Sequence, residues 1–252
     1  MSGHSKWATI KHKKGAADAK RGKLFTKLIR EITVAAKAGG GNPDTNASLR
    51  TALDRAREAN MPKDNMTNAI KKGTGELPGV SYENCSFEGY GTAGVAIIVD
   101  TLTDNKNRTT AEVRNIFSKK GGNMAGAGSV AWIFNTKGYL AVPKEAASED
   151  DVFSIAVEAG AEDVKATNTH YEVFCDPKDL ENVKKALIGK NIKPETSELT
   201  KIPSNTVKLN AAQAKQVLSL VEDLEDLDDV QNVYANFDIS DEIMEQIANE
   251  IE

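Results

Sequence analysis

Hydrophobic residues in the first third of the chain recur at the three- and four-residue steps of an α-helix. This spacing runs from Ala17 to Lys37, returns at about 47–60, and returns again from near Pro62 to Gly73. The intervening segment 38–46 is rich in Gly and Asn, which end one helix and cap the next. The pattern therefore predicts three helices in a small bundle. In the first helix the apolar positions are Leu24, Phe25, Leu28, Ile29, Ile32, Ala35 and Ala36.

The periodicity changes after segment 73–81, whose Gly and Pro residues are typical of a linker. Between about 138 and 202 the predicted order is strand, helix, strand, strand, helix, strand. That βαββαβ order is the split arrangement of a ferredoxin-like domain. The elements predicted before it are strands at 82–88, 95–102 and 129–134 and a helix at 108–120.

The last part of the chain has too few apolar residues for a core of its own, so we expect it to rejoin the elements at 79–134. Its predicted elements are strands at 207–209 and 230–235, a helix at 211–227, and a short helix from Ser240. The predicted fold class is α+β multidomain, with a three-helix bundle followed by two α+β domains, one ferredoxin-like and inserted in the other. The predicted domains are a basic helical bundle at 1–78, a discontinuous α+β domain at 79–136 plus 204–252, and an inserted ferredoxin-like domain at 137–203.

Charge is distributed unevenly along a chain whose formal net charge is -5. Residues 1–75 hold sixteen Lys or Arg and six Asp or Glu, a balance of +10. The remaining residues hold sixteen basic and thirty-one acidic side chains, a balance of -15. Such an asymmetry favours a polyanion-binding end on an acidic body. Attraction between the two parts of the chain is the alternative that charge alone leaves open.

Composition limits the class of protein further. A hydrophobic content of 40% is typical of a globular protein with a core, and the longest apolar run, at 94–99, is too short to cross a bilayer. The two cysteines, Cys85 and Cys175, form no CxxC pair, which favours a reduced, cytoplasmic protein. The basic N-terminus lacks the apolar stretch of a secretory signal and merges into a helical pattern, so we expect it to belong to the mature protein.

The first thirty residues hold nine Lys or Arg and one acidic residue, Asp18. Lys and Arg attract phosphate largely independently of sequence, through counterion release. This density in an acidic protein favours nucleic-acid contact over an ordinary solvated face, while Trp7 fits base stacking and burial in the bundle equally well. The candidate nucleic-acid-binding residues of this segment are Lys6, Trp7, Lys11, His12, Lys13, Lys14, Lys20, Arg21, Lys23, Lys27 and Arg30.

A second basic cluster surrounds the helix predicted at 108–120. Lys106 and Arg108 precede or open that helix, beside two Asn residues, and are candidates for phosphate or base contact. Lys119 and Lys120 fall at its C-terminus, where the helix macrodipole alone favours positive charge. We therefore include Lys106 and Arg108, and not the two later lysines, among the predicted binding residues.

Other motifs carry no catalytic or cofactor chemistry. The glycines of "GYGTAG" at 89–94 lie between two predicted strands, so a turn is expected rather than a dinucleotide site. The three histidines are scattered, which gives neither metal-ligand spacing nor a catalytic triad. We predict no cofactor, no metal and no enzymatic activity. Six acidic residues at 222–229 fit a cation site less well than a solvated helix end or an electrostatic partner of the basic bundle.

Four long motifs carry a resemblance to a known family. They are "GHSKWATIKHKKGAADAKRGKLFTKLIREI", "NMPKDNMTNAIKKGTGE", "EGYGTAGVAIIVDTLTDNKNRTTAEVRNIFSKKGGNM" and "GSVAWIF". With them the sequence resembles the YebC family, which includes the mitochondrial translational activators of cytochrome oxidase. The motifs cover the first half densely, and the predicted element order matches through the C-terminus.

The resemblance implies a three-domain protein with the insertion described above. It also implies nucleic-acid binding and gene regulation, described as transcriptional for many bacterial members and translational for others. The sequence departs from the family at Thr92 and Ala93, where Pro and Gly are favoured, and at Ser48, which replaces a usual Arg. The last change removes one positive charge from the bundle.

Three functional hypotheses follow. The first is a DNA-binding transcriptional regulator that contacts the phosphate backbone through its Lys-rich arm. The alternative is a ribosome- or rRNA-associated translation factor, because the sequence shows no helix-turn-helix spacing and an electropositive arm suits RNA recognition by shape. The third is a protein-interaction adaptor that binds no nucleic acid. We expect neither a membrane nor a small-molecule substrate as a partner.

Overall fold

A computed structural model describes residues 17–250 of the chain. These residues belong to two compact units. The first unit runs through Ala131 and resumes at Asn205, and the second unit is Trp132–Ser204. No helix in the described part is both long and apolar enough to span a membrane.

The three predicted helices are present as α1 (Ala17–Gly39), α2 (Ala47–Glu58) and α3 (Lys63–Thr74), with α2 and α3 packed against α1. Asn46 caps α2 because its Oδ1 accepts from the Leu49 N–H at 3.0 Å. Leu24, predicted to face the core, is 44% exposed. The buried core of the bundle consists of Leu28, Ile32, Ala36, Leu49, Ala52, Leu53, Ala56, Met61 and Ala69.

A β-hairpin follows the bundle, with β1 (Glu83–Tyr90) antiparallel to β2 (Ala96–Thr103). The turn between them carries Gly91 and Gly94 of "GYGTAG", whereas Gly89, predicted to lie in the turn, belongs to β1 and pairs with Ile97. Helix α4 (Lys106–Lys119) begins two residues earlier than predicted because Asn105 caps it, accepting from the Arg108 N–H at 3.1 Å. A short strand, β3 (Asn123–Ala125), then pairs with β1.

The strand predicted at 129–134 is wrong. The buried carboxylate of Glu88 accepts from the N–H groups of Gly128 at 2.7 Å, Val130 at 2.7 Å and Ala131 at 2.9 Å. Backbone donors held by a carboxylate do not form a strand ladder, so this segment is a fixed loop. The next strand starts at Phe134 instead.

The second unit has the βαββαβ order that the sequence predicts. Its four strands are β4 (Phe134–Pro143), β5 (Ala161–Ala166), β6 (His170–Cys175) and β7 (Thr196–Pro203). They form an antiparallel sheet in the order β5-β6-β4-β7, the arrangement of a ferredoxin-like fold. The helices pack on one face of this sheet and bury Leu140, Val173 and Leu187. The two helices are α5 (Glu149–Glu158) and α6 (Leu180–Gly189).

The last segment returns to the first unit. Its strand β9 (Val230–Ala235) pairs antiparallel with β2, which completes a four-stranded sheet in the order β3-β1-β2-β9. Phe117 of α4 and Leu220 of α7 (Ala211–Glu225) are fully buried in the same core beside this sheet. The three-domain boundaries stay a prediction. The returning elements are β8 (Val207–Lys208), α7 (Ala211–Glu225), β9 (Val230–Ala235), β10 (Phe237–Asp238) and α8 (Asp241–Glu250).

Candidate nucleic-acid interface

The predicted binding residues divide into those outside and those inside the described part of the chain. Along α1, Lys20 and Arg21 are followed at helical spacing by Lys23, Lys27 and Arg30. Arg21 and Lys23 are exposed, whereas Lys27 and Arg30 are partly buried. Six predicted residues lie outside the described part, namely Lys6, Trp7, Lys11, His12, Lys13 and Lys14.

Lys23 and Lys27 of α1 contact the segment 225–229, which ends α7 and leads to β9 and is called the acidic loop below. The Lys23 ammonium donates to the Asp226 carbonyl at 3.2 Å and lies 3.4 Å from the Asp226 carboxylate. The Lys27 ammonium donates to the Glu225 carbonyl at 2.8 Å. Carbonyls at a helix C-terminus lack intrahelical partners and carry partial negative charge, so cations are favoured there.

Arg30 is the most enclosed of these cations, with 12% of its side chain exposed. Its Nη1 lies 2.6 Å from the Asp229 carboxylate and also donates to the Asp228 carbonyl. The guanidinium stands over the ring of Tyr82, 5.5 Å from the ring centroid, in a cation–π contact. Arg30 therefore joins α1 to the acidic loop and offers little surface to an external ligand.

Asp229 is the centre of this contact. Its buried carboxylate accepts from Thr109 Oγ1 at 2.6 Å, Thr103 Oγ1 at 3.1 Å and Arg108 Nη2 at 2.7 Å, besides Arg30. Burial alone would raise the pKa of Asp229, but the hydrogen bonds from Thr109 and Arg108 and the charge of Arg30 outweigh it. The pKa of Asp229 thus lies below its ordinary value, and the group is ionised at neutral pH.

Arg108 and Lys106, the second predicted cluster, stand at the start of α4. Arg108 Nη2 donates to Asp229 and, at 2.8 Å, to Asp104, and these two hydrogen bonds raise the pKa of Arg108. Lys106 is exposed in the first position of the helix. The structure thus brings Arg30 and Arg108 together on one carboxylate, while Lys106 stands beside that centre on the same element.

The sequence indicated which acidic segment contacts the basic bundle, but not which residues pair with one another. It named the six acidic residues at 222–229 as a possible electrostatic partner of the bundle, and three of the basic residues of α1 contact the acidic loop. It missed Tyr82, Thr103 and Thr109, which have no charge that would signal them. The only available signal was the charge complementarity between the two segments.

The described residues were expected to hold no metal site, and their His, Cys, Asp and Glu side chains can be compared with that expectation. Within residues 17–250, no group of three or more His, Cys, Asp or Glu side chains is arranged to hold a metal ion. Cys85 and Cys175 are both free thiols. Burial raises the pKa of the Cys175 thiol to about 11, which keeps it protonated at neutral pH.

These features define a class: multidomain α+β proteins in which a basic helical bundle contacts an α+β unit that carries a ferredoxin-like insertion. Two family models match the chain. The one described as TACO1/YebC protein N-terminal domain covers residues 5–76, and the one described as TACO1/YebC second and third domain covers residues 82–237. The chain belongs to the TACO1/YebC family.

Individual relatives agree with this assignment. A protein of Dictyoglomus turgidum, named a probable transcriptional regulatory protein, is 56% identical over 98% of this chain and 100% of its own length. One of Acidithiobacillus ferrooxidans with the same name is 57% identical over 98% of each chain. The crystal structure of a conserved hypothetical protein from Aquifex aeolicus matches with a TM-score of 0.82 and 46% identity, covering 90% of this chain and 94% of that one.

Proposed function

We propose that this protein is a non-enzymatic, cytoplasmic regulator of gene expression that binds nucleic acid. Specifically, we propose a DNA-binding transcriptional regulator whose Lys-rich N-terminal arm contacts the phosphate backbone. The names of the relatives from Dictyoglomus turgidum and Acidithiobacillus ferrooxidans, probable transcriptional regulatory proteins, support the regulatory part of this proposal. The charge distribution supports the nucleic-acid part.

One observation carries the proposal. Among the residues that the structure describes, the acidic loop contacts Lys23, Lys27 and Arg30 of the nine basic residues in the first thirty. The other six fall at positions 6–21 with a single acidic residue between them, a local balance of +5 in a chain of net charge -5. Such a density of positive charge attracts phosphate at long range and releases its counterions on contact.

The contact between α1 and the acidic loop would fix the position of a nucleic acid bound to the arm. Because α1 is tied to the α+β part of the first unit through Arg30 and Asp229, a nucleic acid held by the arm would sit in a defined relation to that part. Lys106 and Arg108, which stand beside Asp229, would then be close enough to α1 to share the same ligand. In this proposal the arm provides the binding affinity, and the α+β part of the first unit determines the orientation of the nucleic acid.

The alternative is a ribosome- or rRNA-associated translation factor, and one observation favours it. In a DNA-binding helix-turn-helix the two helices joined by the turn form the reading unit, with the second in the major groove. Here α2 and α3 are joined by a short turn but pack mainly against α1. A bundle arranged in this way suits recognition of RNA by shape and phosphate contact.

Crosslinking in living cells, with all bound DNA and RNA sequenced, separates these possibilities. The test variant is Lys11/Lys13/Lys14→Glu, and the matched control is Lys185/Lys190/Lys193→Glu, which changes the net charge equally at exposed lysines of the second unit. Promoter DNA that is lost only in the arm variant supports the proposal. Ribosomal RNA at one site, lost in the same variant, establishes the translation factor. Recovery of proteins alone leaves the adaptor hypothesis and refutes nucleic-acid binding.

A further inference from the structure

Lys23 and Arg30 of α1 both contact the acidic loop, but water reaches the two contacts to very different extents. The side chain of Arg30 is 12% exposed, and that of its partner Asp229 is 4% exposed. The side chain of Lys23 is 44% exposed, and that of its partner Asp226 is 71% exposed. The loop therefore makes one enclosed contact and one solvent-exposed contact with the basic face of α1.

These two contacts differ in the cost of breaking them. Separating Arg30 from Asp229, which lie 2.6 Å apart, would leave an uncompensated charge in the interior. The exposed pair of Lys23 and Asp226 is longer, at 3.4 Å, and contributes little because water solvates both groups when they separate. Lys23 can therefore exchange its contact for another anion while Arg30 keeps α1 attached to the loop.

The position of Lys23 in the chain is where a ligand of the arm would reach α1. The six basic residues at positions 6–21 lead directly to it. Lys20 and Lys23 are three residues apart in α1, a rise of about 4.5 Å along the helix axis. A polyanion held by the arm through its phosphates would thus meet Lys23 as the next cation along the helix.

Asp226 offers Lys23 the same kind of acceptor as a backbone phosphate. A carboxylate and a phosphate both provide anionic oxygens for a charge-assisted hydrogen bond from an ammonium group. The Asp226 carbonyl, 3.2 Å from Lys23 Nζ, adds the partial negative charge of the C-terminal end of α7. Asp228 is exposed in the same loop. The loop therefore occupies Lys23 and also repels an approaching phosphate.

We propose that the acidic loop is a built-in competitor of nucleic acid, in which Asp226 occupies Lys23 until a backbone phosphate displaces it. This inference rests on the proposed function and adds an autoinhibitory contact to it. Arg30 and Asp229 stay paired during the exchange, so α1 keeps its place on the first unit. Lys23 becomes a phosphate contact continuous with the arm, and the loop lowers the affinity for nucleic acid by the strength of the contact that is displaced.

The test is a double-mutant cycle measured by fluorescence anisotropy, with a labelled DNA duplex and a labelled single-stranded RNA as probes. Removing the competitor with Asp226→Asn should tighten binding about 1.5- to 5-fold, the equivalent of one exposed ion pair. The matched control is Asp228→Asn, which removes the same charge from an exposed position of the same loop. In a Lys23→Gln background, Asp226→Asn should have no effect beyond that of the control. Equal tightening by Asp226→Asn and Asp228→Asn, or an effect that persists without Lys23, would overturn the inference.

The salt dependence of binding tests separately whether Lys23 contacts phosphate. Lys23→Gln should lower the log–log salt slope for the duplex by about 0.9, which corresponds to one phosphate contact. Lys190→Gln, at an exposed lysine of the second unit, should leave the slope unchanged. The same slope in Lys23→Gln as in wild type would overturn the inference, whatever the effect of Asp226→Asn.

A further variant distinguishes failure of this inference from failure of the proposed function. Weaker binding in Lys11/Lys13/Lys14→Glu, with no effect of Lys23→Gln or Asp226→Asn, keeps the proposed arm and refutes the competitor. The reverse result keeps the competitor and refutes the arm. Wild-type protein that binds neither probe refutes both.

Discussion

At the scale of single residues, Asp229 connects α1 to the start of α4. One buried carboxylate accepts from Arg30 of α1 and from Arg108 and Thr109 of α4. A buried ion pair adds little stability over an apolar replacement, but removing one partner leaves the other charge uncompensated. The cost of losing Asp229 is therefore much larger than the cost of losing a surface carboxylate.

We expect Asp229→Asn to lower the free energy of unfolding by about 3 kcal/mol, because Arg30 loses its buried counterion. The neighbouring Asp228→Asn is the control. The Asp228 side chain is exposed and its carbonyl, which Arg30 uses, is retained, so a change below about 0.5 kcal/mol is expected. Urea unfolding measures both variants. A similar small loss in both would show that Asp229 does not hold α1.

The stabilising contribution of Asp229 depends on pH, and its lowered pKa gives the direction of this dependence. Folding lowers the pKa of Asp229 from its ordinary value of 3.8. Its stabilising contribution is therefore complete above pH 3.8 and is lost as the pH falls through the lowered value. We expect the stability difference between wild type and Asp229→Asn to be constant near neutral pH and to shrink in acid. A difference that grew on acidification would contradict this origin.

Ala93 is a residue in a backbone conformation that suits glycine. It has φ 61° in the turn between β1 and β2. An L-residue pays about 1–2 kcal/mol there, from which the extra freedom of glycine in the unfolded chain must be subtracted. We expect Ala93→Gly to stabilise the protein by about 0.5–1 kcal/mol in thermal unfolding. Ala111→Gly, the same change at an exposed position inside α4, should instead destabilise by a similar amount.

At the scale of elements, the close approach of α1 and α3 depends on one glycine. A Cβ added at Gly73 would lie 2.4 Å from the Thr33 carbonyl oxygen and 2.7 Å from the Ala36 Cβ. Both atoms belong to α1 and cannot move without separating the helices. Gly73 therefore fixes the distance at which α3 packs on α1.

We expect Gly73→Ala to destabilise the bundle by about 2 kcal/mol, since overpacking forces the helices apart. Gly22→Ala is the matched control on α1, where an added Cβ meets no atom within 4 Å. Because alanine is a better helix former, that change should stabilise by about 0.5–1 kcal/mol. Chemical denaturation distinguishes the two signs. Stabilisation by both changes would mean that α1 and α3 pack more loosely.

Elements with strong local signals were predictable from the sequence. The helices have apolar periodicity and capping residues such as Asn46, and the inserted unit has a distinctive element order. The strand predicted at 129–134 was wrong because the backbone donors there are captured by Glu88, which lies about forty residues earlier. Strand β3 was missed because three residues carry too little alternation to detect.

From the sequence, only the basic and acidic segments of the candidate site could be predicted, and not the contacts between their residues. Lys23 and Lys27 are visible in sequence as a basic face of α1, and the acidic loop is visible as a run of carboxylates. The pairing of these side chains depends on how α1 packs against the end of α7, which lies about 200 residues later in the chain. For the same reason the sequence favoured a dipole explanation for Lys119, and only the fold places Lys215 beside it.

At the scale of the whole molecule, the second unit begins and ends at one place. Phe134 pairs with Pro203 across neighbouring strands, and the Ile133 carbonyl accepts from the Ser204 N–H at 2.7 Å. The two ends therefore lie about one strand spacing apart, roughly 5 Å. A segment with adjacent ends can be removed without stretching the chain that remains.

We expect deletion of Trp132–Ser204, with a short Gly-Ser linker joining Ala131 to Asn205, to leave the first unit folded and cooperatively unfolding. Every residue proposed here to contact phosphate lies outside the deleted segment, so the salt slope for DNA or RNA should be unchanged as well. Circular dichroism on heating and the anisotropy titration measure these two properties. A broad transition would show that the first unit needs its insertion to fold. A sharp transition with a lower slope would instead place phosphate contacts on the second unit, where Lys137, Lys165 and Lys201 would become the first residues to test.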